Sequence, residues 1–132
     1  MLIIIPCGSA KLKHRAPAGQ MYLGAYHRAC RRYADSLASI YDQVMILSAK
    51  YGLLPLDEEI DPYELRMGQP GCVTTDQVRT QAEEHELLGE PVIALGGKDY
   101  TQVCKAIWSQ CATPLSGIGG IGKQLKWLKE HS

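Results

Sequence analysis

Short apolar runs alternate with amphipathic stretches along the whole chain. Leu2-Ile-Ile-Ile-Pro6 is continuous and rich in β-branched residues. That pattern predicts a strand buried on both faces, hence central and parallel. Val44-Met-Ile-Leu47 and Pro91-Val-Ile-Ala-Leu95 predict two more such strands, and Ala112 to Leu115 a weaker fourth. Between them, Ala25, Ala29, Tyr33, Leu37 and Ile40 recur at helical spacing, predicting a helix over residues 22–40. Thr75 and Asp76 can cap a helix over 76–88 that Gly89 ends. Residues 99–110 and 121–129 suit two further helices. Residues 10–20 read as a loop, and Pro55, Pro62 and Pro70 make residues 49–71 read as irregular. The expectation is one α/β domain over residues 1–132, in three layers. Its sheet would be short, four-stranded and mainly parallel, flanked by helices.

A chain of 132 residues has the length of one domain. Lys+Arg and Asp+Glu both total 14, so the net charge is zero, yet the charges are segregated. Residues 1–34 hold Lys11, Lys13, Arg15, Arg28, Arg31 and Arg32 and no acidic residue. Residues 57–90 hold ten acidic side chains against Arg66 and Arg79. A solvated polar surface and an anion or nucleic-acid site both fit this pattern. Five cysteines without CxxC spacing, behind no signal-like segment, point to a reduced, cytoplasmic protein without disulfides. No run approaches the length of a membrane span, so no membrane partner is expected. The four histidines form no ligand pair, so neither a metal nor a cofactor is expected.

Ligands of open α/β sheets bind beyond the carboxyl ends of the strands. Four segments leave those ends here: Cys7-Gly-Ser-Ala-Lys11, Ser48-Ala-Lys-Tyr-Gly-Leu-Leu54, Gly96-Gly-Lys98 and Ser116-Gly-Ile-Gly-Gly-Ile-Gly-Lys123. Each pairs small residues, which let a ligand reach backbone N–H groups, with a lysine. The candidate binding residues are Cys7, Gly8, Ser9, Gly96, Lys98, Gly119, Gly122 and Lys123, with Tyr22, Ser48, Tyr51, Gly52, Tyr63 and Arg66 from the segments between. Each has a plainer reading: Cys7 as a small buried hydrophobe, Ser9 as a turn cap, Lys11 as a surface lysine. The 116–123 loop is not a nucleotide-triphosphate loop, because Gln124 stands where a hydroxyl residue would hold magnesium. Trp108 and Trp127 sit at core spacing on helices.

The long segment 48–67 carries Lys50, Asp57, Glu58, Glu59 and Asp61 among apolar residues that want burial. Loops this long are usually functional or disordered. A carboxylate here can act as general base on water, and spacing does not select which. Arg28, Arg31 and Arg32 share one helical turn, as a phosphate-contacting stripe or a wet face.

The ordered segments Met21-Tyr-Leu-Gly24, Leu47-Ser-Ala-Lys-Tyr-Gly-Leu-Leu54-Pro and Pro62-Tyr-Glu-Leu-Arg-Met67-Gly resemble the YaaA peroxide-stress family. That family carries Tyr-x-Gly, Leu-Ser-x-x-Tyr-Gly-Leu-Leu and Pro-Tyr-x-x-x-Met-Gly in the same order. The likeness covers residues 21–68, and YaaA proteins are longer, so the chain looks like a compact relative. The resemblance implies DNA association and a link to oxidative stress. Separately, Ile5-Pro-Cys-Gly-Ser-Ala-Lys11 is similar to the Pro-Cys-Ser-x-x-Lys segment of the archaeosine synthase catalytic domain, whose architecture is like that of uracil-DNA glycosylases. This second resemblance implies a role for Lys11 in handling a nucleobase. The glycosylase water-activating segment Gly-x-Asp-Pro-Tyr is echoed only in part, by Asp61-Pro62-Tyr63, and after the second strand.

Together these readings predict a domain that recognises a nucleobase or nucleotide, DNA favoured, and cleaves or exchanges an N-glycosidic bond. Such chemistry needs a pocket, cations and a carboxylate for water. Lys11, Lys50, Asp57 and Asp61 are the catalytic candidates, and Arg28, Arg31 and Arg32 the nucleic-acid contacts. A lysine attacking the sugar carbon would need a lowered pKa. The alternatives are a non-catalytic YaaA-type DNA-binding stress-response protein, and an interaction protein whose acidic 57–90 segment docks a basic partner.

Overall fold

The computed structural model describes all 132 residues. Strand β1 (Leu2–Pro6) is buried at every position and lies mid-sheet. It pairs in parallel with β3 (Gln43–Ser48) on one side and β6 (Val92–Ala94) on the other. A strand covered on both faces has no use for polar alternation, which is why Ile3, Ile4 and Ile5 follow one another. Strand β7 (Cys111–Ala112) extends the parallel sheet beyond β6. Strand β4 (Gly52–Pro55) folds back antiparallel on β3 and gives the order β4-β3-β1-β6-β7.

The sheet thus has five strands rather than four, and the expected irregular segment opens with a strand. Two features form β4 despite Pro55. Gly52, at φ +74°, takes the left-handed turn that reverses the chain. The Gln81 amide then clamps the hairpin, its Oε1 accepting from Leu53 N–H at 2.9 Å and its Nε2 donating to Tyr51 C=O at 2.8 Å. Pro55 closes β4 on the sheet edge, where a missing N–H costs little. The expected 10–20 loop also holds order. Strand β2 (Ala16–Pro17) pairs antiparallel with β5 (Glu59–Ile60), and a single turn α1 (Ala18–Met21) follows it.

Helix α2 (Ala25–Leu37) covers β1 on one face and packs on α5 (Ile121–His131). Helices α3 (Thr75–Glu84) and α4 (Lys98–Ile107) pack on each other, against β4 and β6. Right-handed crossovers require that split, because the chain leaves β1 toward β3 and then returns past β1 to β6. Helix α3 starts one residue earlier than expected. Thr74 is its cap, and Thr74 and Gln77 bond reciprocally as a capping box. It stops at Glu84, where Glu86 adopts φ 57° and turns Leu87 inward, so Gly89 is not the terminator. The Trp108 indole donates to Leu87 C=O at 2.9 Å in the core. Trp127 is half-buried, against Tyr33 and His131. All five cysteines are unpaired. No helix is long and apolar enough to cross a membrane.

Candidate functional site

The chain reverses its direction of travel across the sheet at β1, and the crevice beyond such a point is where doubly wound sheets bind ligands. A cavity of about 550 Å³ opens there. Its floor is the turn after β1, from Cys7 through Gly8 and Ser9 to Lys11. Its opposite wall is the 63–69 segment, which brings Tyr63, Glu64, Arg66 and Gln69 with apolar Leu65 and Met67. Tyr100, in the first turn of α4, completes it and binds the Cys7 thiol at 3.0 Å. The volume suits a small organic ligand.

The wall behind Tyr63 is a buried hydroxyl chain. Ser48 Oγ accepts the N–H groups of Lys50 and Tyr51, at 3.2 and 3.0 Å. Both lone pairs are then used, so Ser48 donates to Tyr63 Oη at 2.7 Å. Tyr63 Oη in turn lies 2.7 Å from Tyr22 Oη. Three hydroxyl protons serve two bonds, which leaves one phenolic proton uncommitted. Burial, reinforced by the nearby Cys7, raises the Tyr63 pKa. Burial likewise pushes Tyr22 up to about 12, so both phenols are neutral at physiological pH.

Lys11 is held by its backbone. It forms an antiparallel bridge with Tyr22, and Leu12 N–H donates to Met21 C=O at 2.9 Å. Its Nζ lies 4.3 Å from the Tyr63 ring centroid and 5.8 Å from that of Tyr22, in cation–π reach of both. Desolvation lowers the Lys11 pKa, against smaller opposing effects of Cys7 and Glu64. Behind Tyr22, His27 Nδ1–H donates to Pro6 C=O at 2.7 Å. Burial lowers the His27 pKa, helped by Arg31 and Arg28 and opposed by the Pro6 bond.

The four expected loops do not form one composite site. Cys7, Gly8, Ser9, Lys11, Tyr63 and Arg66 do meet in the cavity. Gly96, Lys98 and Gly119 line a separate depression of about 270 Å³ between the starts of α4 and α5. Gly122 and Lys123 are exposed on the first turn of α5, outside both. Tyr22 and Ser48 stand behind the cavity wall. Tyr51 touches Tyr63 edge-on at 5.6 Å without lining the cavity, and Gly52 serves the β3–β4 turn.

Three of the four catalytic candidates also lie elsewhere. Lys50 is exposed, with Nζ 5.2 Å from the Tyr51 ring. Asp57 is exposed in the turn between β4 and β5. Asp61 is ion-paired with Arg15 at 3.1 Å on the surface. The carboxylate that lines the cavity is Glu64, which the sequence reading passed over although it stands inside the Pro62-to-Gly68 motif. Tyr100 was missed as well; its signal is its place one turn after a strand-ending Gly-Gly pair.

The arginine stripe borders a depression of about 370 Å³ together with Tyr22 and His27. Arg31 is spent within the fold, on Asp35 at 3.0 Å and Gly19 C=O at 3.2 Å. Arg28 and Arg32 are exposed and form no ion pair. No three His, Cys, Asp or Glu side chains cluster as metal ligands.

Residues 2–130 match a family model described as a family of unknown function, DUF6884. The chain belongs to that family. It is also 36% identical to the Bacillus subtilis (strain 168) protein named "Uncharacterized protein YfjM", over 140 aligned positions that cover 96% of this chain and 91% of that one. No solved structure matches. The family match takes in every element that builds the cavity, from β1 to α4.

Proposed function

We propose that this domain binds a nucleobase or nucleotide in the cavity beyond β1 and cleaves or exchanges its N-glycosidic bond. The observation that carries the reading is the meeting of Lys11 and Glu64 in one cavity with Arg66 and the apolar side chains of Leu65 and Met67. Breaking the C1′–N bond leaves an electron pair on the base nitrogen, which a nearby cation stabilises. The sugar carbon takes an oxygen nucleophile in exchange, and a carboxylate accepts its proton. Glu64 takes the water-orienting role that the sequence offers to Asp57, Glu58 or Asp61, and Lys11 and Arg66 supply positive charge. The likeness of Ile5–Lys11 to the archaeosine synthase segment supports the same assignment of Lys11. Five unpaired cysteines fit a reduced cytoplasmic setting.

A second reading is DNA binding of the YaaA type, with its link to oxidative stress. It is favoured by Arg28 and Arg32, whose depression reaches Tyr22 and so adjoins the cavity wall. The readings combine if the arginines hold phosphate while the cavity takes a base.

The test is incubation with duplex and single-stranded DNA carrying modified bases and with a nucleoside and nucleotide panel, read by mass spectrometry for free base. Release that falls at least tenfold in Lys11→Ala supports the glycosidic reading. No release, with salt-sensitive DNA retention lost in an Arg28→Ala/Arg32→Ala variant, favours binding alone.

A further inference from the structure

We propose that the Lys11 amine is itself the nucleophile, attacking the sugar C1′ to form an imine, so that the cavity also captures sugars bearing a free C1′ aldehyde. The proposal deepens the glycosidic reading above and rests on it: the neutral amine takes the place of the oxygen nucleophile in the first step, Arg66 remains as the cation, and water attacks only the imine. Three geometric facts carry it. Lys11 reaches the cavity from a backbone pinned by its bridge to Tyr22, so the root of the side chain is fixed. Its Nζ has no carboxylate within ion-pair distance, and its single hydrogen bond is a long one, 3.4 Å to Ser9 C=O. The ammonium is instead held against the Tyr63 ring at 4.3 Å. Lys126 is the one lysine in an ion pair, 3.9 Å from Glu130, so what sets Lys11 apart is its place in the cavity wall against the Tyr63 ring.

An amine must be neutral to attack, and desolvation lowers the Lys11 pKa in the required direction. The groups facing it are Cys7, Tyr22, Tyr63, Glu64, Arg66 and Tyr100. Glu64 favours the ammonium form yet supplies a proton acceptor.

The atoms balance without a further reactant. The Lys11 nitrogen bonds to C1′ as the C1′–base bond breaks, and the electron pair leaves with the base. One amine proton passes to the base. The second passes to the sugar ring oxygen as the ring opens, leaving C1′ doubly bonded to nitrogen. Water adding to the imine carbon then returns Lys11 and a sugar aldehyde.

The experiment uses the full chain, sodium cyanoborohydride and two aldehyde probes: an oligodeoxynucleotide with one abasic site, single-stranded or duplex, and 2-deoxyribose 5-phosphate. Reduction fixes an imine as a secondary amine, and peptide mapping of the wild-type protein locates it without recourse to a variant. The expected result is one adduct, on Lys11, at least tenfold above any other lysine. It should form faster as pH rises, be lost in Lys11→Arg and persist in Lys50→Arg. Adduct with the oligonucleotide alone assigns a polymer substrate; adduct with the sugar phosphate alone assigns a free nucleotide. Base release without a Lys11 adduct overturns the nucleophile and leaves the glycosidic reading standing. A Lys11 adduct without base release from any substrate upholds the amine chemistry and overturns that reading. Equal labelling of Lys11 and surface lysines overturns the proposal.

Discussion

Replacing Tyr63 with Phe tests the hydroxyl chain on which the cavity wall rests. The change removes one oxygen that makes two bonds of 2.7 Å, to Ser48 and Tyr22. Tyr63 is 8% exposed, Tyr22 3% and Ser48 0%, so water does not replace those bonds. Each lost bond costs about 1 kcal/mol, and each buried hydroxyl left without a partner adds about 1–3 kcal/mol. Ser48 keeps its two N–H donors, which limits its share. The sum is a destabilisation of about 3 kcal/mol, or roughly 1.5 M in urea midpoint for a slope of about 2 kcal/mol per M. Tyr22→Phe removes only the outer bond and leaves Tyr63 bonded to Ser48, for a loss of about 1 kcal/mol. Urea unfolding of both variants and of the double variant measures the order. In the double variant the Tyr22 change should cost less than it does alone, because its partner is already gone. Equal losses for the two single variants, or a larger loss for Tyr22→Phe, would refute the chain as drawn.

Three further outcomes follow from named contacts. Burial lowers the His27 pKa in the folded chain, so the unfolded chain takes up that proton first as pH falls through about 6.5, the ordinary histidine value. Stability should therefore fall between pH 7.5 and 5.5, and urea titrations of His27→Gln should show a shallower fall. Arg28→Ala with Arg32→Ala should reduce the slope of log K against log salt for duplex DNA by roughly 1.8, at about 0.9 per phosphate contact. Arg31→Ala, whose guanidinium is already engaged, should leave the slope unchanged. Gly96→Ala forces a side chain onto φ +121° and sets its Cβ 3.0 Å from Pro6 Cβ. A loss of about 2 kcal/mol or more is expected by thermal unfolding, and a loss under about 0.5 kcal/mol would contradict the tight approach of β6 to β1.

What the sequence made legible was the buried parallel framework. β1, β3 and β6 announce themselves because a strand covered on both faces must be a continuous apolar run. β4 and β5 were hidden for a tertiary reason. Pro55 argues against β4 locally, and its hairpin depends on the Gln81 clamp from α3, about thirty residues away, while the two-residue β5 pairs with β2, far earlier in the chain. The turn after β1 was legible as a ligand loop from small residues ending in Lys11. The carboxylate was not, because Asp57, Asp61 and Glu64 look alike in a row of acidic residues. Only the fold shows that Asp61 is spent on Arg15 while Glu64 lines the cavity. The arginine stripe divides for the same kind of reason, since Arg31 is claimed by Asp35 and Gly19.

The central claim is that the cavity beyond β1 is a glycosidic site with Glu64 as its carboxylate. The most direct measurement compares free-base release by the wild-type chain, Glu64→Gln, Asp57→Asn and Asp61→Asn on whichever substrate of the DNA and nucleotide panel is cleaved. The account predicts a loss of about 10²-fold or more in Glu64→Gln alone, the usual contribution of a general base, and near-wild-type release in the other two. Full release by Glu64→Gln, or a loss confined to Asp57→Asn or Asp61→Asn, would contradict it.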